Sequence, residues 1–550
     1  MVIPPKFIFV TGGVMSGLGK GIITSSTAKL LQLCGLQVSC LKIDPYLNYD
    51  AGTMNPLAHG EVFVTEDGGE CDMDVGNYER FLDLNLTSKH NITTGRIFSN
   101  VINSEREGKY LGQCVQIIPH ITDEIKYQIR EISLKEHLDV LVVECGGTVG
   151  DIESLPFLEA LRQMRLEDEY SDTFFIHVTL APILDSVGDQ KTKPTQHSVQ
   201  ELRRIGIQPD LLAVRCKTRL TKDTIRKLSL FANISSDSVM SCHDVPSIYS
   251  VPEILYEQGI TNVVLKKLNL IRQLDISNWS RVSRTYYTYN DSVKIAIIGK
   301  YVNLKDSYVS VYQALLHASA KYSKKIEIDW IDSEKFEIPF NNIQNSGALN
   351  EKLKILDIYD GIIVPGGFGS RGSEGIINTS NYARENNIPY LGICFGFQLA
   401  IIAFARGVCN LSDANTTEIN QDTNNPVIIY MPEQQKLTNY GGTMRLGSHL
   451  IEVDLNSIAY KIYNNISITR RHRHRYEFNQ KYKEIIENNG MKFTGYSDNK
   501  KRTEILEIPE HIFYIGIQYH GEFHSRPGKP EPSFEHFIKA SIKNKKKKNS

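Results

Sequence analysis

Short apolar runs rich in Val, Ile and Phe recur along the chain, separated by longer stretches in which apolar residues return at helical spacing. In the first half these runs are Phe7 to Val10, Val38 to Ile43, Val140 to Val143, Phe174 to Leu180 and Leu211 to Arg215. Uninterrupted apolar strands of this kind are buried on both faces, and helix-length spacers between them predict a mostly parallel sheet with crossover helices. From Asp275 to Ser292 the pattern turns polar and aperiodic, which predicts a linker. The strand pattern then restarts with Val293 to Gly299, Gly361 to Val364, Ile388 to Leu391 and Ile512 to Ile517. The expected organisation is α/β throughout, two doubly wound domains with mostly parallel sheets: the first over 1–274, a linker over 275–292, the second over 293–540, and a basic, disordered tail over 541–550. Asn410 to Asn425, rich in Asn, Thr and Asp, reads as a surface loop within an insertion near 410–440.

Composition narrows the class without changing that picture. A chain of 550 residues exceeds what one hydrophobic core supports, so two large domains are the expectation. With 41% hydrophobic residues, 23% charged residues and a formal net charge of -1, nothing in the balance asks for nucleic acid. The nine cysteines contain no CxxC pair, which favours a reducing compartment and argues against structural zinc. No leader pattern opens the chain and no run has the ~18 apolar residues of a membrane span, so a cytoplasmic protein is expected.

Chemistry concentrates where strands end. After Phe7 to Val10 comes Thr11-Gly12-Gly13-Val14-Met15-Ser16-Gly17-Leu18-Gly19-Lys20-Gly21-Ile22, then a helix to about Leu33. A Gly-rich strand-to-helix loop aims backbone N–H groups at a phosphate chain, and Lys20 adds positive charge. The spelling departs from the usual P-loop by one extra residue and by Gly21 where Ser or Thr normally meets magnesium. A carboxylate must therefore carry more of the metal binding. Glu144, at the end of a buried strand, is one candidate. Asp72 and Asp74 follow the Gly-rich Asp67-Gly68-Gly69, where acidic residues are more often solvated than metal-bound, and spacing leaves both readings open for Asp74. Lys191-Thr192-Lys193-Pro194-Thr195-Gln196 reads either as a polyphosphate clamp or as a solvated loop before a helix.

The second domain holds Gly392-Ile393-Cys394-Phe395-Gly396-Phe397-Gln398 between a strand and an apolar helix, the pattern of a nucleophile elbow. Small residues permit the sharp turn, and the helix directs its positive end at the sulfur. Gln518-Tyr519-His520-Gly521-Glu522 ends a later strand with a histidine and a carboxylate two apart. Cys, His and Glu together point to acyl transfer. The alternating Arg471-His472-Arg473-His474-Arg475 is rejected as a metal site, because interleaved arginines repel cations.

Cys394, His520 and Glu522, with Pro365-Gly366-Gly367-Phe368-Gly369, resemble the class I, triad-type glutamine amidotransferases. The first domain carries Phe9-Val10-Thr11-Gly12-Gly13-Val14, Lys42-Ile43-Asp44-Pro45-Tyr46, His59-Gly60-Glu61-Val62-Phe63-Val64, Gly146-Gly147-Thr148-Val149-Gly150-Asp151-Ile152-Glu153-Ser154 and Lys191 to Gln196, which resemble the CTP synthase family in the order that family uses. The resemblance implies ATP-dependent amination of UTP to CTP by ammonia from L-glutamine, channelled between the domains, in the last step of de novo pyrimidine nucleotide synthesis. It implies Cys394 as nucleophile, His520 as proton shuttle and Glu522 as its orienting carboxylate. Gly367 and Phe395 would hold the oxyanion, and Gly396, Phe397, Gln398, Glu418 and Arg475 would complete the glutamine site. ATP would use Gly17, Leu18, Gly19, Lys20, Gly21, Ile22, Lys42 and Asp74, with His243, Asp244 and Val245 beside adenine, and Asp74 and Glu144 would hold Mg2+. UTP would use Ser16, Lys191, Thr192, Lys193, Pro194, Thr195, Gln196 and Lys227, and the inhibitor CTP would share that site and add Asp151, Ile152 and Glu153. The resemblance further implies a homotetramer, filaments, and GTP as activator; Arg371, in Gly369-Ser370-Arg371-Gly372, is the candidate for a residue near GTP.

One departure stands out: the amidotransferases usually read His-Pro-Glu where this chain has His520-Gly521-Glu522. Glycine frees the backbone that proline would fix, so a less rigidly set triad is expected. Two other classes compete. An amidotransferase ligase of the cobyrinic acid amidase kind is disfavoured by Lys191 to Gln196 and by the domain order. A non-catalytic assembly protein is expected to have lost Cys394, Lys20 or Glu144, and all three are present.

Overall fold

The computed structural model describes residues 5–168, 172–183, 188–337, 346–434 and 441–549. It divides into two compact units, Met1–Ala51 with Asp74–Tyr287, and Gly52–Met73 with Thr288–Ser550. The chain expected as two consecutive domains therefore lends a segment of its first half to the second unit.

The first unit is built on a seven-stranded parallel sheet. In spatial order its strands are Asn91–Thr93, Val38–Asp44, Val140–Cys145, Lys6–Gly12, Thr173–Leu180, Leu211–Cys216 and Val239–His243. Side chains alternate across the pleat: Phe7 and Phe9 join Ile125, Ile129, Leu158 and Leu161 of the helices Thr122–Lys135 and Leu155–Glu167. Helix Lys20–Leu33 packs on the strands Lys6–Gly12, Val38–Asp44 and Val140–Cys145. Burial on both faces explains the uninterrupted apolar spelling, each fully buried Phe or Ile contributing roughly 2 kcal/mol. The segment expected as a linker carries the helix Ser277–Arg284. Its Trp279 is buried against Phe81 and Tyr249 and donates to the Tyr249 carbonyl at 3.0 Å, while Tyr286 packs on Tyr249. Aromatic anchors, invisible to a test of periodicity, hold this stretch on the first unit.

The second unit has a nine-stranded mixed sheet. Five parallel strands, Lys324–Asp332, Asp291–Gly299, Gly361–Val364, Tyr390–Ile393 and Tyr514–Ile517, continue into the antiparallel Arg502–Glu507, Lys492–Ser497, Arg445–Val453 and Ser467–His474. The α/β class stands, while the sheet is less purely parallel than its leading strands suggest. A hairpin of Val62–Val64 and Glu70–Asp72, from the segment Gly52–Met73, belongs to this unit. Glu61 accepts the Ser310 N–H at 3.0 Å, Arg471 and Arg473 donate to Glu66 and Glu70, and Phe63 packs on Phe523. Asn410 to Asn425 is largely irregular, with a two-residue strand at Asn415–Thr416, and the end of the 410–440 insertion lies outside the described residues.

The basic end is a correction. Instead of a disordered tail, helix Pro532–Asn549 runs through it, with Ser541 and Asn544 buried. Asn544 donates to the Asp360 carbonyl at 3.1 Å, Lys545 bonds Asp291 and the Ser292 carbonyl, and Lys548 donates to the Asp357 carbonyl at 2.7 Å. Residues 541, 544, 545 and 548 share one helical face, so polar groups at apolar spacing do the docking.

Candidate active sites

In the first unit the Gly-rich turn leads from Lys6–Gly12 into helix Lys20–Leu33, with Gly17 and Gly19 at positive φ of 75° and 89°. Lys20 donates to the Gly147 carbonyl at 2.7 Å. Behind the turn, the Lys42 ammonium lies between two carboxylates, 2.5 Å from Asp74 and 2.9 Å from Glu144. Tyr78 donates to the other Glu144 oxygen. Burial raises the Glu144 carboxyl above its usual range, and the charge of Asp74 adds to that. Burial also opposes ionisation of Asp74, but the adjacent Lys42 overrides it and holds that carboxyl below its usual range.

Gly21 is now explained. A Cβ there would stand 2.0 Å from Asp74 Oδ1, so the Asp74 carboxylate fills the place where a P-loop Ser or Thr would carry its hydroxyl. One buried carboxylate, Glu144, and one half-buried, Asp74, beside the Gly-rich turn suit Mg2+, which takes one or two carboxylates and completes its shell with water and phosphate.

A cavity of about 340 Å³ opens beside the turn. Gly17, Leu18, Gly19 and Ile22 line it together with His243, Asp244 and Val245. The two sequence segments expected to share ATP thus face one space, within the size range of small-ligand sites. Arg215, which the sequence reading missed, also lines it and is paired with Asp244 at 2.5 Å.

The residues expected around UTP and CTP leave the carboxyl ends of three neighbouring strands. Ser16 follows Lys6–Gly12, Asp151 to Glu153 follow Val140–Cys145, and Lys191 to Gln196 follow Thr173–Leu180. That is where open α/β sheets bind ligands. Thr195 is anchored to the Leu180 carbonyl at 2.9 Å, Gln196 donates to the Thr192 hydroxyl at 3.1 Å, and Asp151 accepts the Thr148 N–H at 2.7 Å. Lys193 and Pro194 open helix Lys193–Arg204, and Lys191 lies 3.7 Å from Asp189. Ser16, Ile152, Glu153, Lys193 and Lys227 are exposed on the single chain.

In the second unit three adjacent parallel strands end side by side, with Val364 opposite Gly392 and Ile393 opposite Ile517. They deliver the Pro365–Gly369 loop, Cys394 and His520 to one place. Cys394 has φ 51° and ψ −97°, a strained conformation for a non-glycine residue and the signature of an elbow. A Cβ at Gly392 would meet the Gly396 carbonyl at 2.7 Å, and one at Gly396 would meet the Val364 carbonyl at 2.3 Å. The turn therefore requires both glycines. His520 Nδ1 is 2.7 Å from Glu522 Oε1. Burial alone would lower the imidazole, but the Glu522 carboxylate and the Cys394 sulfur raise it to about 10. Gly366, Gly367, Cys394, His520 and Glu522 line one pocket, and Arg473 and Phe368 close it further.

Residues 6–270 match the family model described as CTP synthase N-terminus, and residues 303–540 match Glutamine amidotransferase class-I. The CTP synthase of Pyrococcus abyssi is 51% identical over 547 residues, covering 99% of each chain. The chain belongs to the CTP synthase family. The CTP synthase of Pyrococcus furiosus is 50% identical over 546 residues, again with 99% of each chain covered. A solved structure of the Trypanosoma brucei CTPS glutaminase domain with bound acivicin shares 35% identity, covers 46% of this chain and 94% of its own, and has a TM-score of 0.42.

Within this CTP synthase family member the remaining expected glutamine-site residues divide. Glu418 accepts the Gly369 N–H at 2.6 Å, and burial raises its carboxyl. Gln398 sends its side-chain amide to the Tyr476 carbonyl at 2.9 Å and to Gln518 at 3.2 Å. Arg475 donates to Gln434 at 2.6 Å and Thr443 at 2.9 Å. Arg371 donates to the Lys300 carbonyl and faces Asp332 and Glu334. Lys300, which the sequence reading missed, donates to the Phe368 carbonyl at 3.0 Å and to that of Gly369, and its ammonium lies 4.2 Å from the Phe395 ring centroid. Burial lowers this lysine to about 8. His472 and His474 bond each other, and burial, with Arg445 adjoining, keeps both well below the ordinary histidine range.

The Gly521 departure has a structural cause. A Cβ there would stand 3.1 Å from the Glu531 carboxyl carbon. Glu531 is itself buried and held by Tyr463 and Ser533. Gly521 opens the short turn Gly521–His524, and His520 stacks on Phe523 with ring centroids 5.2 Å apart. Packing on Phe523 thus holds His520 beside its bond to Glu522.

Proposed function

We propose that the chain aminates UTP to CTP with nitrogen taken from glutamine, using ATP. The carrying observation is that three neighbouring strand ends bring the Gly367 loop, Cys394 and His520 together, in a chain that also carries Lys42, Asp74 and Glu144 behind a Gly-rich turn. In the second unit Cys394 attacks the side-chain amide carbon of glutamine. The N–H groups of Gly367 and Phe395 receive the oxyanion, and His520, oriented by Glu522, protonates the departing ammonia. Water then attacks the thioester, releasing glutamate and restoring the thiol. Gly396, Phe397 and Gln398 shape the glutamine site, with Glu418 on the α-amino group and Arg475 on the carboxylate.

In the first unit Gly17 to Ile22 cradle the ATP phosphates, with Lys20 and Lys42 offsetting charge as the phosphoryl group passes to O4 of UTP. Ammonia displaces that phosphate at C4. Asp74 and Glu144 would hold Mg2+, which when bound neutralises phosphate charge. Ser16, Lys191 to Gln196 and Lys227 take UTP, and Asp151 to Glu153 add contacts to CTP as inhibitor. Their exposure on the single chain supports a homotetramer in which a second copy completes the site. GTP as activator and assembly into filaments complete the proposal. The test is isotopic: with [amide-15N]glutamine, UTP and ATP, the product CTP must carry 15N at its exocyclic nitrogen. Unlabelled CTP, or none, would refute the proposal.

A further inference from the structure

Gln518 lies just before His520, at the end of strand Tyr514–Ile517, and is 1% exposed. Its backbone N–H is bonded to the Glu504 carbonyl at 2.9 Å, and its side chain points toward the elbow. The network fixes which end of the amide does so. The Tyr476 carbonyl, which can only accept, lies 2.9 Å from one end of the Gln398 side chain, and that end must therefore be the NH2 group. The same NH2 group lies 3.2 Å from the Gln518 amide, so Gln518 must turn its oxygen toward Gln398. Its own NH2 group then faces the Cys394 sulfur at 3.6 Å.

The sulfur has a second neighbour of opposite effect. As a thiol it donates to the Arg473 carbonyl at 3.6 Å. When the proton leaves, that carbonyl faces an anion and becomes repulsive. The ionised state needs donors; beside the His520 imidazole, Gln518 supplies one that is buried and already clamped.

We infer that Gln518 is a further catalytic residue of glutamine hydrolysis, its side-chain N–H holding the Cys394 sulfur as a thiolate. The inference rests on Cys394 being the nucleophile. Gln398 acts behind Gln518 as a positioning residue, fixing the amide so that a donor and not an acceptor meets the sulfur. Its own side-chain oxygen stays available to the substrate.

The test uses the full chain without substrates. Iodoacetamide alkylation of Cys394 is followed across pH by peptide mass spectrometry, with the exposed Cys114 as internal reference. Gln518→Met keeps length and removes the donor. It is expected to raise the pH midpoint of Cys394 alkylation by about one unit, the size of a lost hydrogen bond to a charged group, and to leave the Cys114 midpoint in place. Glutamine hydrolysis should lose about tenfold in kcat with little change in KM. Gln398→Met should move the Cys394 midpoint in the same direction by less, and the double variant no further than Gln518→Met alone. An unmoved Cys394 midpoint in Gln518→Met with an unchanged melting temperature would overturn the inference. If that variant melts low, an unmoved midpoint in Gln398→Met overturns it. Cys394→Ala that still hydrolyses glutamine would instead refute the nucleophile assignment.

Discussion

The two sites differ in how much of their chemistry a single chain completes. Around Cys394 the proposed nucleophile, the histidine, its carboxylate and the proposed oxyanion loop line one pocket, and Lys300 and Gln518 brace them with hydrogen bonds. Around the Gly-rich turn the residues proposed to meet phosphate and metal lie together, yet much of the set expected for the pyrimidine nucleotide stands in solvent. Amide hydrolysis needs a nucleophile, an acid–base group and an oxyanion cradle, all of which protein atoms supply. Phosphoryl transfer needs charge brought by substrate and metal, and Lys42 holds the two carboxylates meanwhile. The first site is a finished constellation; the second is a frame that its ligands complete.

That contrast can be broken at chosen atoms. Glu144→Gln should abolish CTP formation by about 10³-fold with either glutamine or ammonium chloride, while glutamine hydrolysis measured as glutamate release continues. Equal loss of both activities would erase the separation. Gly21→Ser, which restores the usual P-loop spelling, should lower synthesis by about 10²-fold and cost about 1–3 kcal/mol of stability, because its Cβ would collide with Asp74. An active, stable serine variant would show that Asp74 does not replace the missing hydroxyl.

The triad gives a smaller, pH-dependent signature. His520 is raised from about 6.5 in the unfolded chain to about 10, so its stabilisation is fully present below pH 6.5 and is lost as pH rises through 10. Melting temperatures of the parent should fall across that window by more than those of His520→Gln, and parallel curves would contradict the ion pair. Smallest is Gly521→Pro, expected to cost about 1 kcal/mol by pressing on Glu531, with glutaminase activity reduced and not improved.

The same contrast separates what the sequence could show from what it could not. The elbow was legible because its flanking glycines spell a sharp turn, although only Gly392 is demanded by a local approach, to the Gly396 carbonyl, while Gly396 makes room for the Val364 carbonyl of another strand; the strand ends were legible because both-face burial leaves unbroken apolar runs. Gly21 was legible as an anomaly; only the fold shows Asp74 standing in its place. Lys300, Arg215 and Glu531 act across long sequence separations, and nothing local marks them. Gln518 was in view beside His520, but its role depends on a clamp by Gln398, 120 residues away. The last turns of the helix at the basic end hid for the opposite reason: beyond Ile542 the docking groups are polar, and lysines that reach carbonyls spell like solvated ones.

The proposed role of Cys394 is to feed ammonia to a separate synthetase site. The most direct measurement is CTP formation by Cys394→Ala with each nitrogen source. With glutamine the rate should fall by about 10⁴-fold or more, and with ammonium chloride it should remain near that of the parent. Equal loss with both sources would contradict the claim.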